Sequence, residues 1–530
     1  MSFLCKNLLN FRKQCGCLLL CFSEDSLFHL RRIKMFQYKL PHISQEEILS
    51  VFSPAYQELW NNKVQTQIDN DIEAHRKSEK EFTLPLSAAG REIKVEQISH
   101  DFIFGAHIFN FDQLGTDERN RRYKELYGTL FNSATIAFYW KTHELQEGSP
   151  RYRSEYKDTA EFWNNCAEPW KEPHWRRPPT DAVVDFCLSK KIRLHGHPLV
   201  WGNNTWHFPD WLINKLPFDY LLKADLKRNP ENGRLPTSGI AAPFKDMTPE
   251  EIEKAIPEFV SQINVLTAKR IIELAIRYGD KIDSWDVVNE SAVDYAHGNM
   301  IPGSKLCKSC YGPMPGDYTC RSFKIAESVL PASAKLNIND YYLEQPYLDQ
   351  INDLRNRGCK IDIAGAQMHL FNPQQCQDIA DGTSLIQSPD KVREAMGLLS
   401  KAGLPIHLSE ITITAPGGNR KGEIIQAVIA RNLYRLWFSL KPMMGITWWN
   451  VVDNCGAPGE PSVSGLFTRD MQPKLSYFAL NDLINNEWKT NLALQADKEG
   501  KISFRGFRGQ YKFTWCDAQG NSESMISHLQ

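Results

Sequence analysis

The chain of 530 residues is 42% hydrophobic and 24% charged, the profile of a large folded protein and not of a disordered one. Its 62 basic and 63 acidic residues leave a formal charge of −1 with no basic stripe, so nucleic acid is not an expected partner. No run of 18 apolar residues occurs, which excludes a helical membrane span of ordinary length.

Residues 1–34 carry the apolar run "CGCLLLCF" at 15–22 behind Lys6, Arg12 and Lys13. This segment reads two ways, as signal-like or as a mis-assigned start ahead of Met35. Residues 35–100 predict a helix and then two strands around a turn, "KEFTLPLSAAGREIKVEQIS". From 101 to 488 strand-like runs alternate with helix-like runs. The strands fall at 102–109, 135–140, 192–201, 284–290, 335–342, 362–370, 405–412 and 445–453. The clearest helical patterns are 250–279, 388–402 and 421–440. Alternation implies parallel pairing, and eight such units close a (β/α)8 barrel. Residues 489–530 add strands within 497–518, which are expected to join the N-terminal pair in a small β-module beside the barrel. The 13 cysteines do not read as a disulfide framework. Cys307, Cys310 and Cys320 make at best half a zinc site, so free thiols or one local disulfide are expected, with no metal and no cofactor.

Barrel active sites lie at the C-terminal ends of the strands. Those ends carry Lys141 after the second strand and His195, His197 and Trp201 on the third. The fourth ends in Asn289 and Glu290, the fifth in Asn339, Asp340 and Tyr341. Gln367 and His369 follow on the sixth, Glu410 on the seventh, and Trp448, Trp449 and Asp453 on the eighth. A single such residue is most simply a structural hydrogen-bonding group. Polar or aromatic groups from so many strands at one rim point to a site. The carboxylates of Glu290 and Glu410, on strands four and seven, are placed to flank one substrate bond. In retaining glycosidases such a pair stands about 5–5.5 Å apart, one attacking the anomeric carbon and one transferring the proton. Asn289 fits a contact to a sugar 2-hydroxyl.

The segments "HGHPLVWG", "WDVVNE", "NINDYY", "AQMHL", "LPIHLSE" and "GITWWNVVD" occur in order along the barrel, and in them the chain resembles the family 10 glycoside hydrolases, mostly retaining endo-β-1,4-xylanases. The resemblance implies Glu290 as acid/base and Glu410 as nucleophile. It also implies Lys141, His197, Trp201, Asn289, Tyr341, Gln367, His369 and Trp449 as substrate contacts. The chain departs from the family pattern at several points. "AFYWKT" puts Ala137 and Phe138 where a Glu-Asn pair grips the second glycone sugar, so Phe138 is expected to offer a stacking surface instead. Gly202 stands for a histidine, Thr412 for an acid beside the sixth-strand histidine, and Asn450 for a glycine. No tryptophan occurs in 450–466. The expected function is therefore a retaining endo-1,4-β-xylanase. A retaining glycosidase on another β-linked glycan, or a carbohydrate-binding protein without turnover, stand as alternatives. Such an enzyme would act as a monomer on a polysaccharide or oligosaccharide, secreted, periplasmic or at the cell surface.

Overall fold

The computed structural model describes residues 36–227, 239–244, 246–296, 306–308 and 313–530. The readings of residues 1–34, of the Cys307 side chain and of Cys310 lie outside what it describes. Three helices come first, Gln45–Val51, Pro54–Leu59 and Asn62–Arg76, capped by Ser44, Ser53 and Asn61. Each cap side chain accepts a hydrogen bond from a first-turn N–H that has no partner inside the helix. They pack on the helix Arg420–Ser439, which is buried on nearly every face. Its Asn432 is satisfied by Gln65, Tyr38 and Tyr56 from the N-terminal segment, at 3.1, 3.1 and 2.8 Å. An all-round buried helix with polar residues is stable only when its polar groups find such partners.

The strands in chain order are β1 (Lys77–Thr83), β2 (Glu92–Gln97), β3 (Ile103–His107), β4 (Ser133–Ala137), β5 (Arg193–His197) and β6 (Val200–Trp201). They continue with β7 (Ser284–Asn289), β8 (Leu306–Lys308), β9 (Pro313–Pro315), β10 (Lys335–Asp340), β11 (Ile363–Gln367), β12 (Ile406–Ile411) and β13 (Met443–Trp448). The last four are β14 (Asn491–Gln495), β15 (Lys501–Phe507), β16 (Gly509–Cys516) and β17 (Ser522–Leu529). β3, β4, β5 with β6, β7, β10, β11, β12 and β13 pair in parallel, and β13 returns to β3. The (β/α)8 barrel is thus closed in the expected strand order. The third strand is not continuous over 192–201. Pro198 has no N–H for the ladder, so the strand breaks into β5 and β6, and Leu199 N–H bonds instead to the Asp286 carbonyl at 2.8 Å. The eighth strand ends at Trp448, short of the expected 453.

The flanking strands do form antiparallel sheets. β1 pairs with β15, and β14, β2, β16 and β17 make a four-stranded sheet around Phe82, Ile93, Val95, Phe504, Phe513 and Trp515. The module holds more strands than the sequence pattern indicated, because β14 and β17 lack a strong apolar alternation. Gly196 in β5 is required by packing: a Cβ there would sit 2.2 Å from the Trp285 ring of β7. That ring fills the barrel wall behind the site.

Candidate active site

The strand ends converge on a cleft of about 780 Å³. Glu290, Glu410, His197, Trp201, Asn289, Tyr341, Gln367, His369 and Trp449 all line it. Lys141 does not. Its ammonium is held by Asp210 at 2.8 Å, on the short helix Trp140–His143 beyond β4.

Glu410 lies within β12, where the register with β13 shifts between Leu408 and Ile411. Such an irregularity beside a site re-aims a side chain that a regular pleat would direct elsewhere. Asn339 Nδ2, at the end of β10, donates to Glu410 Oε1 at 2.9 Å, and His369 Nε2 lies 3.2 Å from Oε2. Asn339 is itself fixed: it donates to Asn289 Oδ1 at 2.9 Å and accepts from Ser409 Oγ at 2.5 Å. The Glu410 carboxylate is 5% exposed, so both oxygens are oriented by donors rather than by bulk water.

Glu290 follows β7 with φ of +52°, a left-handed backbone that a non-glycine residue adopts only at a cost. Its N–H is held by the Asn339 carbonyl at 2.7 Å. Asp340 secures the turn from the other side, accepting Ala292 N–H at 2.8 Å and Tyr342 N–H at 2.9 Å. Burial raises the Asp340 carboxyl to about 6 against those backbone donors. Gln367 Nε2 bridges Asn289 Oδ1 and Glu290 Oε1, at 3.3 Å from each. Glu290, Gln367, Asn289, Asn339 and Glu410 therefore form one connected polar chain across the cleft floor.

Beneath it, Asp286 lies at 2.7 Å from His197 Nδ1 and 2.9 Å from His195 Nε2. Burial acts to raise the Asp286 carboxyl, but the two histidines outweigh it and hold it below the usual carboxylate range. This orients His197, whose Nε2 stands 3.8 Å from Glu410 Oε1. Thr412 bonds to His369 Nδ1 at 2.9 Å, so a hydroxyl takes the place expected of an acid.

The other end of the cleft departs from the sequence reading. Phe138 offers no surface to a ligand. It is fully buried in the barrel wall, with ring centroids 5.0 Å from Trp285 and 5.5 Å from Tyr278. The reason is backbone direction beyond β4. Phe138 N–H bonds to the His197 carbonyl at 2.6 Å, and its carbonyl accepts from the buried Arg270 of helix Pro257–Tyr278. Tyr139, the next residue, faces the cleft instead and clusters with Phe109, Ala137, Trp201 and Trp449.

Charged residues that sequence reasoning missed also line the cleft, among them Arg176, Arg177 and Glu460. Arg176 has φ of +61° and reaches Glu460 Oε2 at 3.2 Å, His107 Nε2 at 3.0 Å and Asn450 Oδ1 at 2.9 Å. Glu460 also accepts from Ala457 N–H at 2.8 Å and Asn450 Nδ2 at 3.2 Å. Burial acts to raise the Glu460 carboxyl, and Arg176 with these donors brings it below its ordinary value. Asn450, which stands for the family's glycine, is the hub of this group. The only sequence signal was the doubled arginine of "HWRRPP", in a segment with no strand pattern.

Cys320 lies 3.3 Å, sulfur to sulfur, from Cys359. Both are free thiols. Among the described residues no helix is long and apolar enough to cross a membrane.

A parallel barrel with two glutamates on opposed strand ends and aromatic walls has the form of a glycan-cleaving site. Residues 247–483 match the sequence model of Glycosyl hydrolase family 10. The chain is 24% identical over 427 residues to endo-1,4-beta-xylanase A of Thermoanaerobacterium saccharolyticum, covering 76% of this chain and 32% of the relative. It is 24% identical over 313 residues to exoglucanase XynX of Acetivibrio thermocellus, covering 57% of this chain and 24% of the relative. The chain thus spans about a quarter to a third of the length of these curated relatives. Xylanase 10B from Thermotoga maritima superimposes with a TM-score of 0.47 at 19% identity, over 73% of this chain and 96% of that one.

Proposed function

We propose that the protein is a retaining endo-1,4-β-xylanase that acts on polysaccharide outside the cell. Glu410 attacks the anomeric carbon while Glu290 gives its proton to the departing glycosidic oxygen, leaving a xylosyl ester on Glu410. Water, deprotonated by Glu290, then breaks that ester and frees Glu410. The observation that carries the reading is the double clamp on the Glu410 carboxylate by Asn339 and His369, at 2.9 and 3.2 Å. A nucleophile fixed in this way loses little freedom on approaching the sugar. The bridge from Gln367 to both Asn289 and Glu290 supports a shared grip on the 2-hydroxyl side and the acid. The aromatic faces of Trp449, Trp201 and Tyr139 suit pyranose rings.

The test is product profiling from glucuronoarabinoxylan, with Glu410→Gln as control. Short xylo-oligosaccharides from the wild type and none from the variant are expected. Release by Glu410→Gln at the wild-type rate refutes the nucleophile, and absence of release by both refutes the substrate. A second reading, hydrolysis of a β-glucan, is favoured by the absent Glu-Asn grip, where this chain has Ala137 and Phe138. Faster turnover of mixed-linkage glucan than of xylan decides for it.

A further inference from the structure

We propose that the end of the cleft walled by Tyr139 is a subsite for an acidic sugar, in which Arg177 binds the carboxylate of a uronic acid unit of the glycan. This subsite rests on the reading of the cleft as a β-glycan site and names the class of sugar it prefers.

Arg177 lines the cleft yet is only 8% exposed. Its guanidinium lies 4.0 Å from the Tyr139 ring centroid and 4.9 Å from that of Phe109. One Nη donates to the Arg176 carbonyl at 2.9 Å, and the buried Nε finds no hydrogen-bond partner. Among the described residues no carboxylate lies within 4.0 Å of it. Glu460, the acid of this end, is committed to Arg176, the Ala457 N–H and Asn450. Of the two guanidinium groups at this end, Arg176 is the one paired with Glu460. Burial pushes Arg177 down to about 10, so the group is still a cation at neutral pH. Tyr139 offers no counter-charge, because burial raises its phenol well above the ordinary value.

A buried cation with an unused N–H is costly unless something pairs with it. Stacking on Tyr139 offsets part of that cost but leaves the N–H unsatisfied. A carboxylate pairs with that charge, because the planar fork of a guanidinium matches two carboxylate oxygens. The pyranose ring that bears it then lies against Tyr139 and Trp449, which line the same cleft.

The test uses the full chain carrying Glu410→Gln, which holds ligand without turnover. Calorimetric titration compares a β-1,4-xylo-oligosaccharide bearing one glucuronate with the same oligosaccharide after carboxyl reduction. The acid form is expected to bind about tenfold tighter at low salt, with the difference shrinking as salt is added. Arg177→Met should bring the two affinities together, and Arg177→Lys should restore part of the gap. Equal affinities in the presence of Arg177, a preference for the acid that survives Arg177→Met, or no binding of either form overturns the subsite. Failure of the wild type to hydrolyse either oligosaccharide overturns the xylanase reading instead, and the two results are read on different proteins.

Discussion

Replacing Phe138 with leucine separates a wall residue from a ligand-binding one. The ring is fully buried and makes close aromatic pairs with Trp285 and Tyr278, at 5.0 and 5.5 Å between centroids. Each such pair contributes about 0.5–1.5 kcal/mol beyond area burial, so their loss costs about 1–3 kcal/mol of folding stability. Leucine keeps much of the volume and every backbone bond, including those to His197 and Arg270. The folded state therefore survives for kinetics. Guanidinium unfolding should show a lower midpoint, while the ratio of kcat/KM on xylan to that on mixed-linkage glucan stays within about twofold of wild type. Tyr139→Ala, one residue on but facing the cleft, should change that ratio. An altered substrate preference in Phe138→Leu with an unchanged unfolding midpoint would refute the wall assignment.

Three further outcomes are expected. Glu290→Ala should retain far more activity on aryl glycosides with good leaving groups than on polymer, because only poor leaving groups need protonation; steady-state rates on both, with equal losses, would count against the acid role. Asp286 is depressed in the folded state by His195 and His197, so its contribution is present at neutral pH and is lost as pH falls below about 4, the unfolded value. Asp286→Asn should cost about 1–3 kcal/mol at pH 7 and flatten the acid side of a stability–pH curve; an unchanged slope refutes the linkage. Cys320 and Cys359, 3.3 Å apart, should lose two titratable thiols together under mild oxidant, and Cys320→Ser should abolish that paired loss in a thiol assay.

Much of the site is legible in the sequence. Glu290 and Glu410 each end an apolar run, and a buried strand that terminates in an acid is hard to explain by packing alone. Asn289, Gln367 and His369 follow from the same logic. Lys141 is suggested by its position after β4, but the short helix at 140–143 carries it to Asp210 instead of into the cleft. Asn339 stands in the sequence at a strand end, yet its role as the joint between Asn289 and Glu410 depends on two neighbouring strands.

The sequence by itself determined the alternation of strands and helices, the closure at eight units and the strand ends that bring Glu290 and Glu410 to the cleft. These follow from local periodicity and from chain position at strand ends, which a one-dimensional pattern records. Only the tertiary structure decided which way the chain turns after β4. Arg270, distant in sequence, captures the Phe138 carbonyl, so Phe138 enters the wall and Tyr139 the cleft. It also decided that Arg176, in a left-handed conformation, meets Glu460 and Asn450 from remote loops and leaves Arg177 stacked on Tyr139 without a counter-ion among the described residues. Side-chain direction in irregular segments is set by hydrogen bonds that close over long sequence separations, and no local pattern encodes them.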